Sequence, residues 1–436
     1  MSALSVNLLG TRATTAPPVR IVHLGLGAFH RSHQAWYTAN AADAEQWGIA
    51  AYSGRSSSLA EALTAQDGLY TLVVRSPEGD RAERIGSIVR AHGGSELARF
   101  VGDVSAPTTA ILSLTITEAA YSPKETCVDV AVLGALADGA ELSQIEPSTA
   151  LGRVVLALEA RRRAGSGSLA LVSCDNLPDN GGVLRASVGS LAEAVPGLGD
   201  WIDSTVSFVS SSVDRITPRL SDEETAALAE VYDDRAPVVA EPFSDWVIAG
   251  SFPAGRPQWE TAGARFTDDL DPWEARKLWL LNGAHSLLAS LGRLRGHRTV
   301  SEAIADAECL RAVEAYWDEA CAHLPDELGL SAYRSALLDR FRNPRIQHLL
   351  AQIGLDADTK VRVRIAPVAE RERRSGRSGA ACAVVIAAWL AVEGQAVDRE
   401  SVAGTVGTLS AALGADAAFV EAVHRALERV GNLTLR

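Results

Sequence analysis

Three lysines, Lys124, Lys277 and Lys360, stand among the 41 lysines and arginines of this 436-residue chain, so the other 38 are arginines. A coding bias that replaces Lys by Arg accounts for the ratio. It also singles out the positions that keep an amine, because a guanidinium stays protonated in proteins whereas a buried ammonium can release its proton. Lys277 lies in Pro272-Trp273-Glu274-Ala275-Arg276-Lys277-Leu278-Trp279-Leu280-Leu281-Asn282-Gly283-Ala284-His285-Ser286, a run of strong helix formers. At about 100° per residue, with Lys277 at zero, Glu274 falls at about 60°, His285 at about 80° and Asn282 at about 140°. A solvated face explains Glu and Lys at this spacing. It explains Leu278 and Leu281 less well, since they fall among the polar groups, and a mid-helix Gly283 costs on the order of 1 kcal/mol relative to Ala. A polar cluster in a cleft is the favoured alternative. Such a cluster could remove a hydroxyl proton with the amine, donate side-chain amide hydrogens to the oxygen left behind, orient a substrate through His285 and relay the proton through Glu274.

A second candidate lies near the start of the chain, where Ile21-Val22-His23-Leu24-Gly25-Leu26-Gly27-Ala28-Phe29-His30-Arg31 reads as an apolar strand, a Gly-x-Gly turn and a helix start. In a dinucleotide-binding turn the first glycine allows the bend and the second lets the backbone approach a pyrophosphate, which then sits on the first amides of the helix, here Ala28 and Phe29. His30 occupies the place of the third glycine. A tight turn without a ligand is the alternative, and its position after the first strand of an α/β pattern favours the nucleotide. After the second strand, where a carboxylate would take the ribose of NAD and an Arg the extra phosphate of NADP, stands Gly54-Arg55-Ser56-Ser57-Ser58. Arg55 with its serines reads equally as a phosphate pocket or as a polar loop. Beside a nicotinamide, the lysine cluster would serve to oxidise a secondary alcohol, which needs a base for the hydroxyl proton while hydride leaves carbon.

Elements that could position these groups follow from periodicity. Segments 20–26, 48–53, 110–116 and 168–173 read as strands, and 31–43, 57–65 and 151–163 as helices. That alternation predicts a parallel sheet covered by helices. Past Asp271 Ala- and Leu-rich segments with helical spacing run to the end, and the Gly-, Pro- and Asp-rich stretch 252–271 reads as a linker. The expected architecture is an α/β Rossmann-type domain over 1–265 that binds a nicotinamide dinucleotide, and a mostly α-helical domain over 266–436 that binds substrate.

The formal charge of −13 and the sequence pI near 5.2 oppose a general grip on nucleic acid, although Arg161 to Arg163 and 371–377 are locally basic. The five cysteines are scattered without a Cys-x-x-Cys pair, so neither structural zinc nor a disulfide framework is expected. Apolar runs such as 380–392 fall short of the roughly 18 residues of a membrane span. The first residues lack the pattern of a secretory signal, which makes a cytoplasmic protein the expectation. A nucleotide-binding protein without catalysis would carry a damaged lysine helix, and this one is intact.

These motifs, together with Ala65-Gln66-Asp67-Gly68-Leu69-Tyr70-Thr71-Leu72, Thr115-Ile116-Thr117-Glu118, Ser173-Cys174-Asp175-Asn176-Leu177-Pro178, Val213-Asp214-Arg215-Ile216-Thr217-Pro218, Glu241-Pro242-Phe243 and Trp246-Val247, resemble the long-chain polyol dehydrogenases that include mannitol 2-dehydrogenase and fructuronate reductase. The resemblance implies metal-independent interconversion of a polyol or aldonate with its keto form, by a monomer using NAD, with NADP left open. It implies Lys277 as general base, Asn176 and Asn282 as the amides on the oxyanion, His285 as substrate ligand, Glu274 as proton gate and Asp214 at the site. Gly25, Gly27, Ala28, Phe29, Arg55 and Thr117 fall on its cofactor side. Without it, Asn176 reads as a turn residue, Asp214-Arg215 as a surface pair and Lys124 as an ordinary loop residue. Further on, Arg340-Phe341-Arg342-Asn343-Pro344 resembles the segment leading to the family's substrate lysine, which falls on Lys360. The family's usual Asp-Gly-Ser-Gln-Lys is here Asp356-Ala357-Asp358-Thr359-Lys360, and Gln352 stands where mannitol-type members carry Arg. These departures leave a neutral polyol and a keto sugar acid both open as substrate.

Overall fold

Short apolar runs separated by helices build the first part of the chain, as seen in a computed structural model that describes residues 10, 12, 15–54, 56–394 and 398–431. Its strands are β1 (Val19–Leu24), β2 (Gly48–Tyr52), β3 (Tyr70–Ser76), β4 (Gly79–Ile85), β5 (Ile88–His92), β6 (Ile111–Leu114), β7 (Leu169–Ser173), β8 (Val206–Asp214), β9 (Val238–Ala240), β10 (Asp245–Ala249) and β11 (Arg265–Thr267). Eight of them form one sheet in the order β11-β10-β8-β7-β6-β1-β2-β5, and β4-β3-β9 form a smaller one. From β8 to β5 every neighbouring pair is parallel. The chain therefore winds outward through β1, β2 and β5, then returns past β1 to lay down β6, β7 and β8. That is the doubly wound order, with its reversal and its ligand crevice at the C-terminal ends of β1 and β6.

Period-two alternation covers both faces of this sheet. Ile21, Ile49, Ala51, Ile111 and Val172 enter one core, while Val22, Leu24, Tyr52, Leu112 and Leu171 enter another. Burial on both sides is what helix-covered parallel strands require. The four expected strands are present as β1, β2, β6 and β7, with ends shifted by no more than two residues. The helix expected over 31–43 is instead two short helices, Ala28–Ser32 and Gln34–Asn40, broken at His33 (φ −119°, ψ −90°). Helix Ala150–Ala164 starts on the Thr149 hydroxyl, which accepts the Gly152 N–H, and stops at Gly165 with φ +64°. Its basic run is internal wiring. Buried Arg161 donates to the carbonyls of Val104, Ala106, Thr109, Ser166, Gly167 and Ser168, and Arg162 and Arg163 pair with buried Glu159.

The stretch expected as a linker is part of the sheet's support. Trp259 is buried against Trp246, ring centroids 4.6 Å apart, and β11 pairs with β10. The chain divides into two compact units between Leu270 and Asp271. Beyond that point the described residues form helices, with one isolated bridge between Thr299 and Leu349 as the exception. The apolar run 380–392 is a helix, Ala380–Val392, packed against helices Ala284–Leu294 and Ala417–Gly431. At its N-terminus the Glu319 carboxylate accepts the N–H groups of Ala381 and Cys382, both at 2.9 Å, which satisfies two otherwise orphaned donors and complements the helix dipole. No helix among the described residues is long and apolar enough to cross a membrane. Lys124 lies on helix Pro123–Val128, not in a loop.

Candidate functional site

Every described first-unit residue singled out by sequence sits at the C-terminal edge of the parallel sheet. Gly25 and Gly27 follow β1, Thr117 follows β6, Asn176 follows β7 and Asp214 ends β8. The two glycines are glycine for different reasons. Gly25 has φ +117°, and a Cβ there would lie 2.1 Å from the Thr115 carbonyl oxygen, so the fold itself excludes a side chain. Gly27 has φ −147°, open to any residue, and a Cβ would come no nearer than 3.6 Å to another atom. The protein's own packing therefore does not demand glycine at 27. The space it leaves lies at the start of helix Ala28–Ser32, where the first amides have no partner within the helix. These features fit a dinucleotide pyrophosphate, which the turn and the amides of Ala28 and Phe29 would hold. Arg55 lies outside the described residues.

His30, in place of the third glycine, stacks on His23 of β1 with ring centroids 3.4 Å apart and planes 9° from parallel. His23 is tied through Nδ1 to the Ser113 hydroxyl at 2.9 Å and through Nε2 to the Thr115 hydroxyl at 3.1 Å. Burial pushes the His23 pKa down to about 3 and His30 well below its ordinary value, so the stack is neutral. Two flat rings in contact supply the close helix–strand packing that a third glycine provides in other dinucleotide folds.

Asn176 is exposed on the turn after β7, whereas Asp214 is buried. Its neighbour Arg215 is buried too, donating to the carbonyls of Ser32 at 2.6 Å and Glu241 at 3.2 Å, with its guanidinium over Trp36. The surface pair expected from sequence is thus an internal brace. The residue before Asn176 went unassigned in the sequence. Asp175 is buried and accepts the Thr117 N–H at 2.7 Å and the Tyr121 hydroxyl at 2.8 Å.

In the second unit the lysine segment is helical but not uniformly α. Asp271–Arg276 is α-helix, Lys277–Gly283 is π-helix and Ala284–Leu294 is α-helix again. A π turn adds one residue to a turn, so everything after it rotates back by about 100°. On this count Asn282 moves to about 40° and His285 to about −20° from Lys277, with Glu274 still at about 60°. The four groups span about 80° in place of the roughly 140° of an unbroken α-helix. Donors outside the helix take carbonyls at the π turn: the Trp317 indole N–H bonds Leu280 O at 2.8 Å, and Arg364 bonds Asn282 O at 3.3 Å. Gly283 is explained by packing, since a Cβ would lie 2.3 Å from the Tyr316 hydroxyl.

His285 is buried between Phe341 and His348, at centroid distances of 5.0 and 4.8 Å. Its Nε2 has no hydrogen-bond partner. Burial, followed by the charges of His348, Arg340 and Arg364, lowers its pKa well below the ordinary value. Lys360 is half-buried, and its ammonium donates to Ile353 O at 3.1 Å and to Leu355 O. It therefore braces the short helix Leu350–Ile353, on which Gln352 is exposed. Elsewhere, His297, Asp306 and Cys309 bring potential ligand atoms within 4.8 Å of one another. The Asp306 carboxylate there is bonded by Arg295 at 2.7 Å, and the group forms an ion-pair network.

Comparison with known proteins agrees with both units. Residues 19–261 match the model of the mannitol dehydrogenase Rossmann domain and residues 269–429 that of the mannitol dehydrogenase C-terminal domain. The chain is 35% identical to D-mannonate oxidoreductase of Escherichia coli strain K12 over 87% of its length and 81% of the relative's. It is 38% identical to D-arabinitol 4-dehydrogenase of Ralstonia nicotianae over 87% and 84% respectively. Among solved structures, the Pseudomonas fluorescens mannitol 2-dehydrogenase ternary complex with NAD and D-mannitol superposes with a TM-score of 0.75 at 31% identity, covering 99% of this chain and 94% of that one. With a doubly wound first unit, a helical second unit and both family models matched in order, this chain belongs to the mannitol dehydrogenase family.

Proposed function

We propose that the chain interconverts a polyol and its ketose, in the manner of mannitol and fructose, with NAD as hydride carrier and without a metal. The observation that carries this is the π turn Lys277–Gly283, which by the helical count turns Lys277 and Asn282 toward the same side as Glu274 of the preceding α-helix and His285 of the following one. Lys277 Nζ takes the hydroxyl proton while the carbon–hydrogen bond breaks and the carbon–oxygen double bond forms. The amides of Asn176 and Asn282 donate to the oxygen as its charge develops, and one such preorganised donor contributes on the order of 3 kcal/mol. His285 binds a substrate hydroxyl, and Glu274 passes the proton from Lys277 to water. Asp214, Lys360 and Gln352 complete the substrate contacts. Gly25, Gly27, Ala28, Phe29, Arg55 and Thr117 hold the dinucleotide, whose nicotinamide when bound supplies the hydride acceptor.

A second reading, reduction of a keto sugar acid of the fructuronate type, is favoured by the surroundings of His285, where the guanidinium groups of Arg340 and Arg364 act as positive neighbours. A carboxylate would suit them. One panel decides between the two: purified protein assayed with NAD and NADP against five- and six-carbon polyols, and with both reduced cofactors against fructose and fructuronate. Turnover with mannitol or another neutral polyol supports the first reading, and turnover confined to fructuronate supports the second. No turnover in any combination refutes both.

A further inference from the structure

Thr117 has φ 72° and ψ 152°, a region that glycine adopts freely and a β-branched residue does not. Its conformation persists because neighbours hold it. Asp175 Oδ1 accepts the Thr117 N–H at 2.7 Å and Oδ2 accepts the Tyr121 hydroxyl at 2.8 Å. The aspartate is itself pinned from behind. Asn180 Nδ2 donates to Asp175 O at 2.8 Å and to Ser211 O at 2.7 Å, and Asn180 Oδ1 accepts the Ser211 N–H at 2.9 Å. At the other end of the same loop the Thr115 hydroxyl donates to Gly25 O at 2.9 Å. One bonded run thus crosses the β1/β6 crevice, from the glycine turn through 115–117 to Asp175 and the turn that carries Asn176.

A fold with no other demand on residue 117 would place glycine there, which follows the same path unstrained. It would also have no reason to bury a carboxylate whose pKa burial raises, since neutral groups cost less to bury. Strain held by a buried charge at a ligand crevice is the pattern of a preorganised site.

We propose that Asp175 is a positioning residue: its carboxylate locks the 115–117 loop in the shape that receives the nicotinamide half of the dinucleotide, and fixes the adjoining turn that presents Asn176. This rests on the dinucleotide assignment above.

The test uses four variants of the full chain: Thr117→Gly, Thr117→Ala, Asp175→Asn and Asp175→Ala. Dissociation constants for NAD and NADH are read from tryptophan fluorescence, alongside the thermal midpoint without nucleotide and the separate KM values of dinucleotide and substrate. Thr117→Gly frees the loop and is expected to weaken both dinucleotides by about tenfold or more, raising the dinucleotide KM while leaving the substrate KM near wild type. Thr117→Ala keeps a Cβ and with it most of the restriction on the loop, so it should weaken dinucleotide binding less than Thr117→Gly does. Asp175→Asn retains an acceptor for the Thr117 N–H and should fall between wild type and Asp175→Ala. If Asp175→Ala does not fold, Thr117→Gly and Asp175→Asn decide the question. Wild-type binding with Thr117→Gly unaffected overturns this inference alone. A wild-type chain that binds neither NAD and NADH nor, in the same fluorescence titration, NADP and NADPH overturns the dinucleotide assignment and this inference with it.

Discussion

Lys277 and Asn282 are the first and sixth residues of a single π-helical segment, so one hydrogen-bonded turn separates them and their side chains project from one face. In an unbroken α-helix the same two residues would diverge by about 140°. In the proposed mechanism the π turn is the feature that would let an amine and an amide act on a single oxygen. Replacing Lys277 by Ala should remove most turnover, and Lys277→Arg should not restore it, because a guanidinium does not accept a proton at working pH. Asn282→Ala should lower kcat by about 10²–10³-fold. Dinucleotide affinity measured by fluorescence should stay within about twofold for all three; unchanged turnover in Lys277→Ala would refute its role as base.

Gly283 tests whether the π turn is held by tertiary packing. Alanine at this position gains about 1 kcal/mol of helix propensity, yet its Cβ would lie 2.3 Å from the Tyr316 hydroxyl and 2.7 Å from the ring carbon Cε1. Overpacking of this kind costs typically about 1–3 kcal/mol, so Gly283→Ala should lower the thermal midpoint. Tyr316→Phe in the same chain should recover part of the loss, since the closest atom is then gone. A midpoint equal to or above wild type in the single variant would show that the neighbouring helix yields easily.

How much of this was legible in the sequence depends on how local each cause is. β1, β2, β6 and β7 are apolar and β-branched, and the glycine turn follows β1 directly, so the doubly wound core could be read from short windows. β8, with the sequence VSFVSSSVD, looks like loop because its half-buried serines and buried Ser211 are held in the sheet by neighbouring strands rather than by their own character. The π turn was invisible to a 3.6-residue wheel, since the indole of Trp317 and the phenol of Tyr316 that shape it lie more than thirty residues away. Asp175 stands inside the Ser173-Cys174-Asp175-Asn176-Leu177-Pro178 run, but its meaning comes from Thr117, 58 positions earlier. The expected linker stretch does contain the boundary, between Leu270 and Asp271, but most of it packs into the first unit, because glycine and proline also build the turns around a buried Trp259.

Gly25 and Gly27 should behave as opposites. Gly25→Ala places a methyl 2.1 Å from the Thr115 carbonyl at φ +117°, and is expected to abolish soluble folded protein or to lower the midpoint severely. Gly27→Ala meets nothing nearer than 3.6 Å at an ordinary φ. Its stability should fall by no more than about 1 kcal/mol, the usual cost of replacing a preferred N-cap residue by Ala. Its dinucleotide affinity should nevertheless fall by about tenfold or more, because the methyl enters the space left for the pyrophosphate. Undiminished affinity in Gly27→Ala would place the dinucleotide elsewhere.

The stacked histidines set an acid limit on the first unit. In the folded chain burial holds the His23 pKa at about 3 and His30 well below its usual value, while in the unfolded chain both return to about 6.5. Below that pH the unfolded state binds protons that the folded state does not. Stability is therefore fully present above about pH 6.5 and falls on acidification, by about 1.4 kcal/mol per pH unit for each such histidine, until the folded pKa is reached. His30→Phe isolates one of these protons. Neither ring nitrogen of His30 has a hydrogen-bond partner, so a phenyl ring loses no bond and can still stack on His23. Between pH 7 and pH 4.5 the urea unfolding free energy of His30→Phe should fall less steeply than that of wild type, by close to one proton's worth of slope. Superimposable slopes would mean that His30 is protonated in the folded protein, and that the stack is held by something other than two neutral rings.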